Sequence, residues 1–458
     1  MSVKRTTLDL TEGNIVVMVL KFAMPIFLGQ VFQNLYNSVD SIVVGNYVGT
    51  TALAAVASCG DIVQLLVGFF VGFSTGAGVL FANYFGGKKY QELQIAIHTA
   101  LTFSILLGAA VAVSGILLTP ALLRLVKCPV DVLSEATSYL RIYLIGILFT
   151  SMYNVGAGVL QSVGDSKTPL KTLMVSSVIN IVLDVLFVRV FHMGVAGVAW
   201  ATLIAQLSSV SIVASRMLLT DDVYRVYPSR LCIHRRTLGK MLTLAIPGAV
   251  QSCLTGISNL FIQRYINGFG SAAMAGIGAG KKIDRFSGLM GNAIGLSAAT
   301  FIGQNVGAKK IDRAFKGIRV CLMLSFVASL IFAVPTYIFA QPLSQLFTKD
   351  AEAVRYSVDM THVMLPFFFF NSIHQIYSGA CRGFGKARSV MILSLLGMIG
   401  FRQLYLAIAL GIEHSVFHVY MAFPAGWITA ALLMVGGYYF CIRRRHEKGI
   451  LNLDVFAD

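Results

Sequence analysis

The stretch "ANYFGGKK", Ala82–Lys89, recurs as "GQNVGAKK", Gly303–Lys310, and the recurrence decides how this chain is organised. Two further blocks return at nearly the same spacing of about 221 residues. "LKFAMP", ending at Pro25, returns as "LTLAIP", ending at Pro247, and "GVLQSVGDSK", from Gly158, returns as "GACRGFGKAR", from Gly379. One such block could arise by chance, because Gly and Lys are common at helix ends. Three in order at one spacing make the two halves copies of one another.

Composition says what the copies are. Of 458 residues, 56% are hydrophobic and 12% charged, and the mean hydropathy is +0.76, beyond what a soluble core of this size requires. A hydrocarbon layer of ~30 Å is crossed by ~20 apolar residues in a helix. The sequence offers twelve such runs, at 14–45, 52–82, 93–119, 133–160, 168–190, 194–218, 237–266, 272–303, 316–340, 352–380, 389–411 and 417–442. They are continuous and do not alternate in period two, which argues against a transmembrane barrel. The class expected is an all-α polytopic membrane protein. With an even number of spans, both copies enter the bilayer from the same side, so their axis lies along the membrane normal. The expected architecture is twelve transmembrane helices in two pseudo-symmetric six-helix lobes around a central cleft. The lobes are residues 1–218 and 237–458, joined by a basic cytoplasmic linker at 219–236.

The formal net charge of +16 does not build a nucleic-acid surface, because the Lys and Arg residues are spread over alternate loops. One set of loops carries Lys88, Lys89, Lys167, Lys171, the stretch from Arg216 to Lys240, Lys309 to Lys316 and Arg382 to Arg388; the other is sparser. The positive-inside bias places both termini in the cytoplasm of a multi-pass inner (plasma) membrane protein. No cleavable leader is expected, since "MSVKRTTLDLTEGN" runs directly into the first span. The seven cysteines are dispersed, odd in number and form no CxxC, so they read as packing thiols, not as a disulfide framework or metal site. Neither GxxxxGK[ST] nor HExxH occurs, and no nucleophile motif has an identifiable base. No enzyme activity and no bound cofactor are expected.

Within the fifth run, "VINIVLDVLFV", Val178–Val188, holds Asn180 and Asp184. Four residues apart on a helix, they share one face. A charge at mid-bilayer costs ~2.5–3.5 kcal/mol on insertion scales, so an acid there is a functional candidate by default; packing against a neighbouring helix is the bland alternative. Asp40, fifteen residues after Pro25, is a second candidate, with a helix-end cap as its alternative. At the repeat spacing Asn180 falls at Phe401, Asp184 at Tyr405 and Thr202 at Phe423, so the second half lacks these groups. A sister lobe that folds without the cluster argues that the cluster is not architectural.

The first-helix Pro25, "QNLYNSVDSIVVG" (Gln33–Gly45), "GTTALAAVA", "GGKK", "GVLQSVGDSKTP" and "INIVLDVLFV" together resemble the multidrug and toxic compound extrusion (MATE) transporters, over essentially the whole chain. The placing of the candidate coupling acids in the first lobe resembles the DinF-like branch, since helices seven and ten read "QSCLTGISNLFIQ" and "PFFFFNSIHQIYSG" without an acid. The resemblance implies an ion-coupling site at Asp40, Asn180, Asp184 and Thr202, with a carbonyl near Val198, and a first helix that bends at Pro25 when the site is loaded. Oxygen ligands suit Na+, while two close carboxylates also suit one shared proton, so H+ and Na+ both stay open. It further implies a monomeric secondary antiporter in the lipid bilayer, exporting amphipathic, often cationic small molecules by alternating access. The runner-up is a flippase for a lipid-linked saccharide, which would favour a strongly cationic cleft; a channel would need a continuous polar pore.

Gln33, Tyr36, Asn37, Tyr139, Asn154, Gln206 and Asn259 are candidate substrate-cavity groups amid many Phe and Met. "GKKIDR" puts Lys281, Lys282, Asp284 and Arg285 inside the eighth run, where they either line the cleft, pair or snorkel. Asn371, His374 and Gln375 follow "PFFFF" in the tenth run, and a core histidine is as good a reading there as a substrate contact.

Overall fold

The structure is a computed structural model that describes residues 7–43, 47–48, 50–126, 128–130, 132–451, 453 and 456, without the side chains at 37–43, 50, 51, 53, 54 and 57. Every regular element among them is helical. The first half holds α1 (Ile15–Val43), α2 (Thr50–Gly86), α3 (Tyr90–Leu125), α4 (Leu133–Ser162), α5 (Lys167–Val185) and α6 (Gly194–Leu219). The second holds α7 (Arg235–Asn267), α8 (Ser271–Gly307), α9 (Ile311–Ile338), α10 (Ala340–Gln345), α11 (Ala351–Met364), α12 (Phe368–Gly383), α13 (Ala387–Leu395), α14 (Arg402–Ile412), α15 (Val416–Tyr438) and α16 (Arg444–Glu447). In lipid only such self-satisfied backbones are tolerated.

Eleven helices among the described residues are long and apolar enough to cross a membrane. The tenth of the twelve expected runs, 352–380, is the exception. It is split into α11 and α12 by a 3-10 turn at Leu365–Phe367, where Pro366 has no N–H to continue the ladder. Neither piece alone has the length of a span.

The duplication is written in the corners. α2 ends with Lys88 at φ 56° and α8 with Lys309 at φ 58°. Lys89 N donates to Tyr84 O at 2.9 Å and Lys310 N to Asn305 O at 2.8 Å, while Lys88 N and Lys309 N each bond three residues back at 3.0 Å. These paired bonds form a Schellman cap, which satisfies the last carbonyls of the helix. α4 and α12 end in the same motif with glycine at the left-handed position, Gly164 at φ 89° and Gly385 at φ 78°. There Asp165 N reaches Leu160 O at 2.8 Å and Lys386 N reaches Cys381 O at 2.9 Å.

The chain forms two compact units, one holding Leu28–Ala249 with the chain start through Asp9, the other Leu10–Phe27 with Val250–Asp458. The segment 219–236 therefore belongs to the first unit. Gln94 Nε2 donates to Val223 O at 2.6 Å, and Tyr227 N donates to His98 Nε2 at 3.0 Å, pinning that segment to α3. α1 and α7 each change unit two residues past a proline, Pro25 and Pro247 respectively.

In the first unit α4 is the hub, packed on α2, α3 and α6. The core includes Cys59, Phe70, Leu140, Leu144, Ile147 and Val198. The initial half of α7 lies on α2 so closely that a Cβ on Gly72 would meet the Gly248 carbonyl and one on Gly76 the Leu244 carbonyl. Small residues four apart let helix backbones touch in this way. In the second unit α12 takes the hub position, packed on α8, α9 and α15. Its core includes Ile262, Met360, Phe368, Leu406, Tyr420 and Trp427.

Candidate functional site

Asp165, two residues before α5, accepts at its carboxylate from Thr168 N at 3.0 Å and Thr168 Oγ1 at 2.6 Å, fixing the start of the helix. Four turns later the same helix presents Asn180 and Asp184, both 0% exposed. It then loosens into a π segment at Leu186–Val190, immediately after the acid. Single π turns inside α-helices recur at functional sites, because the widened turn re-aims the side chains around it. α6 packs directly on α5. It brings Val198 and Thr202, at 1% and 3% exposure, to the same unit.

Thr202 Oγ1 donates its proton to the Val198 carbonyl at 2.9 Å. The hydroxyl lone pairs stay available to a cation. Both amide atoms of Asn180 are buried with no hydrogen-bond partner among the described residues. A buried orphan amide is costly and is the kind of group a bound ion, proton carrier or water satisfies. The donors on α5 and α6 are therefore a carboxylate, an amide oxygen, a hydroxyl and a carbonyl, all hard oxygen ligands of the type Na+ takes. Asp40 lies on α1, and its side chain, like that of Asn37, is outside the described residues.

The other expected groups are distributed. In the first unit Tyr139 is 8% exposed and stacks on Tyr143 with centroids 6.1 Å apart. Tyr36 and Gln206 are half-buried, Gln33 is exposed, and Asn154 donates from Nδ2 to Thr150 O at 2.8 Å. In the second unit Asn259 and Lys282 are exposed, Asn371, Gln375 and Asp284 half-buried. Lys282 lies over the Phe347 ring at 5.5 Å. Lys281 donates to Gln263 Oε1 at 3.3 Å. His374 is buried, with Nε2 2.9 Å from Ser394 Oγ, which is the setting of a core histidine. Gln263 and Ser394 were not legible as partners, because each lies on a different helix from the residue it meets.

Two helical units of one design, their helices long and apolar enough to cross a membrane, define a membrane protein built by duplication. Comparison with known proteins agrees. The MatE family model matches the chain twice, over residues 25–186 and 247–408, one copy in each half. The chain belongs to the MatE family, whose members are transporters and not enzymes.

"Probable multidrug resistance protein YoeA" of Bacillus subtilis is 27% identical over 445 residues, covering 94% of this chain and 95% of that protein. The FAD transporter of Shewanella oneidensis is 23% identical over 86% of this chain and 87% of its own. Among solved structures, an outward-facing multidrug resistance MATE family transporter of the MOP superfamily superimposes with a TM-score of 0.90 at 20% identity, covering 97% of this chain and 99% of that one. That likeness establishes the fold, all-helical and two-lobed.

Proposed function

We propose that this chain is a secondary antiporter of the plasma membrane, with both termini cytoplasmic, that exports amphipathic and often cationic compounds by alternating access in exchange for H+ or Na+. The observation that carries the coupling is the burial of Asn180 and Asp184 on α5 and of Val198 and Thr202 on α6, two helices that pack on one another. Nothing at the equivalent positions of the other half repeats it. Asp40 on α1 completes the set by resemblance, and the lack of an acid in "QSCLTGISNLFIQ" and "PFFFFNSIHQIYSG" is what supports the DinF-like branch. Export of drugs rests on relatives named as probable multidrug resistance proteins, which match over 85% and 94% of this chain and favour an exporter over a saccharide flippase.

The transported ion is cargo, and the residues act on it as ligands. Loading the Asp184 site neutralises a carboxylate in low dielectric, which changes the interaction of α5 with its neighbours. Pro25 lies inside α1 two residues before that helix passes from one unit to the other. A missing backbone bond at that point lets the two parts of α1 pivot. Ion and exported compound then bind antagonistically, and linkage makes the antagonism reciprocal.

The test is flux of a cationic dye in proteoliposomes under separate proton and sodium gradients, comparing wild type with Asp40→Asn and Asp184→Asn. Gradient-driven flux in wild type and its loss in both variants is expected. Full coupled flux in both variants would remove the site assignment, and wild-type flux that ignores both gradients would remove the antiporter.

A further inference from the structure

At the counterpart of Thr202 the second unit holds an aromatic ring approached by two cations. At the repeat spacing of about 221 residues, Phe423 stands where Thr202 stands, and Lys281 where Gly60 stands. The Phe423 ring has the Arg402 guanidinium carbon 5.1 Å from its centroid and Lys281 Nζ 5.9 Å from it. Lys281 comes from α8, Arg402 from α14 and Phe423 from α15, all in one unit.

Arg402 is 2% exposed. Its guanidinium lies across Gly426, where a Cβ would sit 2.9 Å from Nε. That Nε has no hydrogen-bond partner among the described residues, and an Nη contact goes only to the Met398 sulfur at 3.8 Å. Among the described residues neither Arg402 nor Lys281 forms an ion pair with a carboxylate. Asp284, three residues on from Lys281 on the same helix, forms no ion pair with it among the described residues. Glu413 is beside His418 at 3.6 Å.

A guanidinium buried with an unused donor and no counter-ion is costly, and the ring quadrupole compensates only in part. Apolar residues would pack the same volume more stably. Two cations over one ring, one buried and one half-buried at Lys281, make a focused positive potential. Phe423 and Met398, which meets Arg402, belong to one apolar cluster with Trp427. That combination suits a carboxylate or phosphate joined to a flat apolar body: the anionic group takes the Lys281 ammonium in the field of Arg402, and the body lies against Phe423.

We propose that Lys281, Arg402 and Phe423 form a receptor site for the anionic group of an exported amphipathic compound. This deepens the exporter reading and rests on it. One half of the duplicated scaffold then handles the coupling cation and the other the anionic part of the cargo.

The test uses the full chain in lipid nanodiscs and the fluorescent probe 1-pyrenebutyrate, with a pyrenyl trimethylammonium of equal length as the cationic control. Lys281→Gln is expected to weaken pyrenebutyrate by about tenfold and to leave the cation within about twofold, with Lys281→Arg restoring the anion. Arg402→Gln is expected to do the same; should it fail to fold, Phe423→Leu combined with Lys281→Gln replaces it. Unchanged pyrenebutyrate affinity in Lys281→Gln, or equal loss for both probes, overturns the site. Displacement of pyrenebutyrate by equimolar inorganic phosphate overturns the amphiphile in favour of a free oxyanion. Cationic-dye flux in the same protein separates the two readings: gradient-driven flux with Lys281-independent binding sinks this site alone, whereas gradient-insensitive flux with Lys281-dependent binding sinks the antiporter and leaves the site.

Discussion

Positions 180, 184 and 202 in the first half hold Asn, Asp and Thr; their counterparts 401, 405 and 423 hold Phe, Tyr and Phe. The helix caps at 88 and 309 meanwhile agree to within two degrees in φ. Backbone corners are the invariant of this duplication and site chemistry is its variable. A corner is fixed by hydrogen bonds that every copy must satisfy to fold in lipid, whereas an interior polar cluster adds a cost that only a function retains. Comparing equivalent positions therefore separates what holds the protein together from what it uses.

The sharpest way to break that contrast is to neutralise the acid and its counterpart in parallel. Asp184→Asn should lower ion-coupled dye flux by at least about tenfold, as expected when a buried charged ligand is lost, while Tyr405→Phe leaves flux near wild type. Proteoliposome transport measures both, and equal losses would erase the asymmetry. Thr202→Val should raise the concentration of driving cation needed for half-maximal flux by about tenfold, with Thr202→Ser close to wild type.

Stability supplies the smaller effects. Gly164 and Gly385 share a left-handed backbone, but a Cβ at Gly164 would also run into the Leu8 backbone. Gly164→Ala should cost about 2–4 kcal/mol, combining conformational strain with a clash, and the conformational part at Gly385→Ala about 1–2 kcal/mol. Thermal unfolding in detergent would show the difference as unequal shifts in Tm. Last, Lys88→Gly and Lys309→Gly should each relieve a left-handed residue by about 1 kcal/mol or less, and by the same amount. Unequal shifts would mean that the two corners are not equivalent.

Much of this was legible in the sequence, for identifiable reasons. The repeat showed itself through Gly and Lys blocks because those blocks are the Schellman corners, whose chemistry is local. Asp184 stood out because an acid in an apolar run is expensive wherever its partners lie. The break in the tenth run was signalled by Pro366 but smoothed away by the phenylalanines after it, since hydropathy averages over a turn that backbone bonding does not. What stayed hidden depends on contacts between helices far apart in the chain. "GFSTG", Gly72–Gly76, announces a close helix approach without saying that α7 is the partner. Arg402 is visible as a cation in an apolar run, but its position over Phe423 together with Lys281 is not.

The passage of α1 and α7 from one unit to the other has a consequence for synthesis. The first unit lacks a wall until Ala249 has been made, and Leu10–Phe27 is inserted long before the helices at Val250–Asp458 that will receive it. The two halves therefore cannot mature one after the other as separate domains ordinarily do. A chain severed inside 219–236 leaves each fragment short of one lead-helix segment and holding one that belongs to its sister. Recovery of a folded transporter from two such fragments requires that they be present in the same membrane at the same time, as a pair of ancestral single-copy chains would have been.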